Sequence, residues 1–273
     1  MTSHQQLVLS AMAFRGRDFE ASLDAARASG FDAVGISIAH CVSCLERGMT
    51  PQEMAKAVRE RGLEVANLEL IRLGDGGPLR HLNEILTELV TVFEPDRIHV
   101  AAFAGTLDQV TAEFVQLCEA VPTTSLAVEF MPYSVINTFD AALSMVRAAG
   151  TDNAKIVLDI IHFVRSGGRM EQLTPDTLAH VADVQISDLL PRARIETSIE
   201  SRHLRTFPGD GTLPIAEFLS TIRTNTDQPL PVTVEAISDA TEQLPVDWVV
   251  ERSIQTMTRL LDDTGWLDAQ LTR

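Results

Sequence analysis

The chain has 273 residues, with 22 Lys+Arg against 38 Asp+Glu and a formal net charge of −16. A surface this acidic repels phosphate backbones, which argues against nucleic acid as a partner. Lys56 and Lys155 are the only lysines, so nothing resembles a polybasic membrane anchor. No run reaches the roughly 18 apolar residues of a spanning helix, Met1 to Ser10 lacks a secretory pattern, and three cysteines make no disulfide framework. These features set the expectation of a cytoplasmic protein without membrane partners, and they are compatible with a homo-oligomer.

Short β-like runs alternate with helical patterns along the whole length, without a Pro/Gly/Ser-rich linker, so one α/β domain over 1–273 is expected. The first strand spans Leu7 to Ala11. A helix over Asp18 to Ser29 follows and is stopped by Gly30. Ala33 to Ser37 forms the second strand. The next helix, Thr50 to Arg61, opens with a capping box of Thr50, Pro51 and Glu53 and precedes strand three, Leu63 to Leu68. Helix Leu79 to Phe93 leads to strand Arg97 to Ala101, and helix Leu107 to Val121 to strand Leu126 to Phe130. Helix Thr138 to Ala149 leads to strand Lys155 to Asp159. A short helix near Pro175 to His180 precedes strand Val181 to Ser187, helix Pro214 to Arg223 precedes strand Val232 to Ala236, and Asp247 to Asp263 closes the chain. Eight strand–helix units predict a (β/α)8 TIM barrel. The absence of a glycine-rich phosphate loop after strand one disfavours the alternative, an open doubly wound sheet.

Catalytic side chains of such barrels lie at the carboxyl ends of the strands. Four polar residues finish apolar runs there: Glu129, Asp159, Gln185 and Glu235, separated by 30, 26 and 50 residues, which places them on strands five to eight. Neighbouring strands lie about 4.8 Å apart, so the four tips can converge. Three buried carboxylates without a cation would repel strongly, and a divalent metal resolves that. Three carboxylates and an amide oxygen suit Mn²⁺, Mg²⁺ or Co²⁺ better than structural Zn²⁺. Each tip taken singly could equally be a rim residue paired with an arginine.

These four tips, with Val157-Leu158-Asp159-Ile160-Ile161-His162 and Arg202-His203-Leu204-Arg205-Thr206-Phe207-Pro208-Gly209-Asp210-Gly211, resemble the sugar phosphate isomerase/epimerase superfamily of xylose isomerase-like barrels. The resemblance implies a metal held by Glu129, Asp159, Gln185 and Glu235. It also implies proton transfer by the two glutamates and a substrate contact at His162. Many sugar epimerases of this group carry histidine where Gln185 stands. That departure, with Ser201-Arg202-His203 and Phe207-Pro208-Gly209, is similar to the 3-dehydroshikimate dehydratases of the same superfamily.

The segment from Asp188 to Leu213 runs against the overall charge, and guanidinium forks suit carboxylate or phosphate groups. Arg192 or Arg194, with Arg202, His203 and Arg205, is therefore expected on a lid that meets an anionic substrate, a solvated loop paired to acidic helices being the alternative. Pro208-Gly209-Asp210-Gly211 reads as the turn returning that lid. Phe14 and His40 are further candidates for substrate contact, and Cys41 and Cys44 read as loop packing. His99 has no evident constellation. The expected activity is a metal-dependent sugar isomerase or epimerase that abstracts a proton next to a carbonyl. A dehydratase of the 3-dehydroshikimate type is the nearest alternative, followed by a non-catalytic sugar-binding barrel.

Overall fold

The structure is a computed structural model and describes residues 5–75, 84–191 and 195–266. Strands β1 (Leu7–Leu9), β2 (Ala33–Ser37), β3 (Glu64–Leu73), β4 (Arg97–Ala102), β5 (Ser125–Glu129), β6 (Ala154–Asp159) and β7 (Val181–Ile186) lie side by side in chain order. After β7 the chain makes an excursion through β8 (Asp188–Leu189) and β9 (Arg205–Thr206), which pair antiparallel. It then returns as β10 (Val232–Val234), which pairs parallel to both β7 and β1 and closes the barrel. The expected (β/α)8 architecture is therefore present.

The helices are α1 (Phe19–Ser29), α2 (Ile38–Glu46), α3 (Pro51–Glu60), α4 (Glu84–Phe93), α5 (Leu107–Ala120), α6 (Phe139–Ala149), α7 (Ile160–Arg165), α8 (Pro175–Leu178), α9 (Thr197–His203), α10 (Ile215–Asn225), α11 (Asp239–Glu242) and α12 (Val246–Asp263). Their ends follow local chemistry. Asp18 accepts from Ala21 N ahead of α1, Gly30 ends it in the left-handed conformation, and Thr50 and Glu53 cap α3 reciprocally. The outward faces of the strands and the apolar stripes of the helices form one continuous core, and α12 packs on α1 to join the ends of the ring.

Three differences from the sequence-based expectation bear on the site. The segment around Cys41 and Cys44 is a helix, α2: Ser37 ends β2 and also caps α2 by accepting from His40 N, and Ile38, Cys41 and Leu45 fall on its inner face. Strand β3 runs on to Leu73, because a bulge against β4 between Leu68 and Ile71 lets the strand continue through Glu69 and Arg72. The excursion after β7 is built rather than solvated. Both oxygens of Asp188 accept backbone N–H groups, from Leu189, Gly211 and Leu213, and Arg165 grips Glu200 of α9 through two hydrogen bonds.

Gly211 is held against Asp188, where a Cβ would lie 2.4 Å from Asp188 Oδ1 and from Leu189 O. Gly211→Ala is expected to destabilise the fold by about 1–3 kcal/mol through overpacking. Urea unfolding with an unchanged slope would register the loss.

Candidate active site

Residues two apart on a strand share a face, and that alternation sends Glu129, Asp159, Gln185 and Glu235 into the barrel. Asp159 and Gln185 are register partners on β6 and β7, Gln185 pairs with Thr233 on β10, and Glu235 N donates to Ile186 O. Asp159 also starts α7, its Oδ1 accepting from Ile161 N at 2.6 Å and His162 N at 3.2 Å. That cap turns His162 back over the strand ends, with Nε2 3.5 Å from Glu129 Oε1.

Arg205, expected from sequence on a lid that meets an anionic substrate, enters from β9 and is buried. Its Nε donates to Ser201 O at 2.6 Å, and Nη1 donates to Asp159 Oδ2 at 2.7 Å and Ser187 Oγ at 3.2 Å. Nη2 lies 3.7 Å from Glu235 Oε1 and 3.5 Å from His162 Nε2. Arg202 is exposed at the rim, its guanidinium 5.1 Å from the Tyr133 ring centre and 5.6 Å from that of Phe103, and Arg72 covers Phe103 at 5.3 Å. Tyr133 Oη is 2.9 Å from Ser201 Oγ, joining the β5 loop to α9.

The charges interact strongly. Burial, and then the Asp159 charge, push the Glu129 carboxyl up to about 7. Burial raises Glu235 well above the usual carboxylate range, Arg205 opposing this and Glu69, Glu129 and Asp159 adding to it. Burial would raise Asp159 too, but Arg205 and His162 hold it below its ordinary value. Burial drives His162 down to about 4, so the imidazole is neutral near pH 7.

Ligand atoms of Glu129, Asp159 and His162 lie within 4.8 Å of one another, and Gln185 Oε1 is buried with no hydrogen-bond partner. Five inward carboxylates (Glu69, Glu129, Asp159, Asp183 and Glu235) face Arg97, Arg205 and a protonated His99. The residues therefore fit a metal, with His162 nearer the set than sequence reasoning placed it.

Beneath this layer lies a network the sequence did not reveal. Arg97 Nη2 is 3.1 Å from Asp183 Oδ1, which also accepts from Thr233 Oγ1 at 2.7 Å. His99 bridges Asp183 Oδ2 at 3.4 Å and Glu69 Oε2 at 3.3 Å, and Asn67 Nδ2 donates to the same Glu69 oxygen at 3.1 Å. Strands β4 and β7 are separated by β5 and β6, so these contacts cross the barrel interior. Burial alone would lower His99, but the Asp183 and Glu69 carboxylates outweigh it and hold the imidazole up at about 9. His99 was legible only as one polar letter inside Ile98–Val100, its partners lying on strands distant in sequence.

Other sequence candidates sit elsewhere. Phe14 is 1% exposed and packs edge-on against Phe19, so it belongs to the core and presents no face to a substrate. His40 packs its ring on Phe19 from α2. His203 is pinned at the surface by Asp239 Oδ1, 2.8 Å from Nδ1, and not directed at the carboxylates. Cys41 and Cys44 are buried, and burial raises both thiols. Arg192 and Arg194 lie outside the described residues.

A folded-state value raised from 6.5 to about 9 means that His99 stabilises the fold fully below about pH 6.5 and progressively less as pH rises through 9. The difference in urea unfolding free energy between wild type and His99→Gln is expected to shrink over that interval. A difference independent of pH from 6 to 10 would contradict the charged assignment.

The comparisons with known proteins agree with this geometry. A family model for the xylose isomerase-like TIM barrel matches residues 23–260. A 3-dehydroshikimate dehydratase of Pseudomonas aeruginosa is 26% identical over 218 residues, which are 73% of this chain and 33% of the relative, so the chain spans about a third of that protein's length. The structure of the IOLI protein with a bound zinc atom superposes with a TM-score of 0.82 at 17% identity, covering 95% of this chain and 99% of that one. A D-allulose 3-epimerase from Methylomonas sp. superposes with a TM-score of 0.69 at 15% identity, covering 94% and 98%. Among the described residues no helix is long and apolar enough to cross a membrane. With the family match extending over most of the barrel, this chain belongs to the xylose isomerase-like TIM barrels.

Proposed function

We propose that the chain is a divalent-metal-dependent dehydratase acting on a small polyhydroxylated carbonyl compound that carries a carboxylate, of the 3-dehydroshikimate type. The observation that carries this reading is Arg205, a guanidinium buried among the strand-end carboxylates with Nη2 facing Glu235 and His162 at 3.7 and 3.5 Å. A carboxylate can take the Nη2 donor as one prong of a charge-assisted pair while Nη1 stays on Asp159. The likeness to a 3-dehydroshikimate dehydratase supports the same reading.

A divalent ion held by Glu129, Asp159, Gln185 and Glu235, with His162 beside them, would supply Lewis-acid stabilisation of the charge that develops on a carbonyl oxygen; Mn²⁺ is the ion proposed. Arg205 orients the substrate carboxylate, and Arg202 at the rim draws it in over Phe103 and Tyr133. Glu129, at the end of β5, is the carboxylate proposed to abstract the proton from the carbon next to the carbonyl. The C–H electrons pass towards the carbonyl. Their return expels the β-hydroxyl, which leaves as water on taking up the proton. Neutral His162, 3.5 Å from Glu129 Oε1, is placed to carry that proton.

A second reading, a sugar isomerase or epimerase, is favoured by the two raised carboxyls. Glu129 and Glu235 close β5 and follow β10, with β6 and β7 between them, and a proton taken by one and returned by the other would invert a centre.

Metal-stripped protein is expected to be inactive on 3-dehydroshikimate and to form an aromatic catechol product, read by its ultraviolet absorbance, once Mn²⁺ is restored. Glu129→Gln should lower kcat by about 10³-fold or more, and Arg202→Ala should raise KM by about tenfold with little change in kcat. Failure to consume 3-dehydroshikimate, together with metal-dependent interconversion of ketoses, would transfer the assignment to the second reading.

A further inference from the structure

Glu69 takes no part in the mechanism above, yet the fold fixes it with unusual care. Its side chain lies on the same face of β3 as Asn67 two residues earlier, inside the register shift against β4 between Leu68 and Ile71. Asn67 has room because residue 35 is glycine, where a Cβ would lie 2.8 Å from Asn67 Oδ1. Asn67 Nδ2 and His99 Nδ1 hold Glu69 Oε2 at 3.1 and 3.3 Å, and His99 is anchored in turn on Asp183, which is itself paired with Arg97. One carboxylate oxygen is thus immobilised from below.

The other, Oε1, is buried and has no hydrogen-bond partner. It lies at the level of the strand ends, since Glu69 is the register partner of Ser37, the last residue of β2. A buried carboxylate oxygen without a donor is unfavourable unless something supplies one. A second metal ion is a poor supplier, because the protonated His99 lies against the same carboxylate and repels it. A hydroxyl donor has the right chemistry.

We infer that Glu69 is a specificity-determining residue whose Oε1 accepts a hydrogen bond from a hydroxyl group of the substrate, with Arg205 gripping the carboxylate. This rests on the reading of the site as one for a small polyhydroxylated compound and not on the reaction that follows. Asn67 and His99 act as positioning residues for the acceptor, and Glu69 discriminates hydroxylated ligands from apolar rings of the same size.

The test is calorimetric titration of the Mn²⁺-loaded full chain with three probes: shikimate, D-allulose and cyclohex-1-ene-1-carboxylate, the last sharing the ring and carboxylate of shikimate without its hydroxyls. Glu69→Ala is expected to weaken shikimate or D-allulose by about tenfold or more, the scale of one hydrogen bond to a charged group. It should leave cyclohexenecarboxylate affinity, measured on Mn²⁺-saturated protein, within about twofold, and Glu69→Gln, which keeps an acceptor of the same shape, should lose less than Glu69→Ala. Equal losses for shikimate and cyclohexenecarboxylate, or a wild-type protein that binds neither hydroxylated probe, overturns the inference. Binding of D-allulose without shikimate instead counts against the dehydratase assignment, and Glu69 then stands or falls on the D-allulose loss alone.

Discussion

The interior of this barrel is organised around a problem of charge. Family barrels are commonly filled by layers of branched apolar side chains, whereas here β3 to β7 and β10 point carboxylates, an imidazole and a guanidinium inward. Each carboxylate would be prohibitively unfavourable alone in such a place. They coexist because Arg97 and His99 neutralise the lower layer and Arg205 neutralises part of the upper one. What remains uncompensated sits at the strand ends, where Glu129 and Glu235 are pushed up.

The excursion after β7 follows from the same constraint. A cation is needed above the carboxylates, and no barrel strand can supply it from that side. The chain leaves β7, forms the short β8–β9 ribbon and α9, and delivers Arg205 from β9 into the mouth. Holding one guanidinium in a fixed place requires the excursion to be rigid, which explains the investment in Asp188, Gly211 and the Arg165–Glu200 pair. Residues of the excursion that contact no carboxylate, such as His203, are tied instead to the outer surface.

The parts of this arrangement that obey local rules were readable in the sequence. Strand and helix periodicity, the Thr50 capping box and the stop at Gly30 placed most elements within a residue or two of their observed ends. The polar residues ending strands five to eight identified Glu129, Asp159, Gln185 and Glu235, because a side chain that breaks an apolar run at a strand tip is visible one strand at a time. Non-local features were not readable. Glu69 was hidden because its strand continues through a bulge beyond the apolar stretch, and His99 because its partners come from β3 and β7. Ser37 ends one element and caps the next, so α2 passed for a loop. Arg205 was identified by composition, but its burial depended on a hairpin that two residues on each side suffice to form.

The global charge and the local field can now be separated. A chain at −16 repels anions at long range, and over the Debye length of about 8 Å at physiological salt that repulsion fades. Within that distance of the barrel mouth an approaching carboxylate meets Arg72 and Arg202 on Phe103 and Tyr133, and then the buried Arg205. The rim arginines are solvated and contribute mainly to capture, while Arg205 acts where water is excluded and each charge counts for more. Discrimination for an anionic ligand can therefore reside in one buried side chain even though the protein as a whole is acidic.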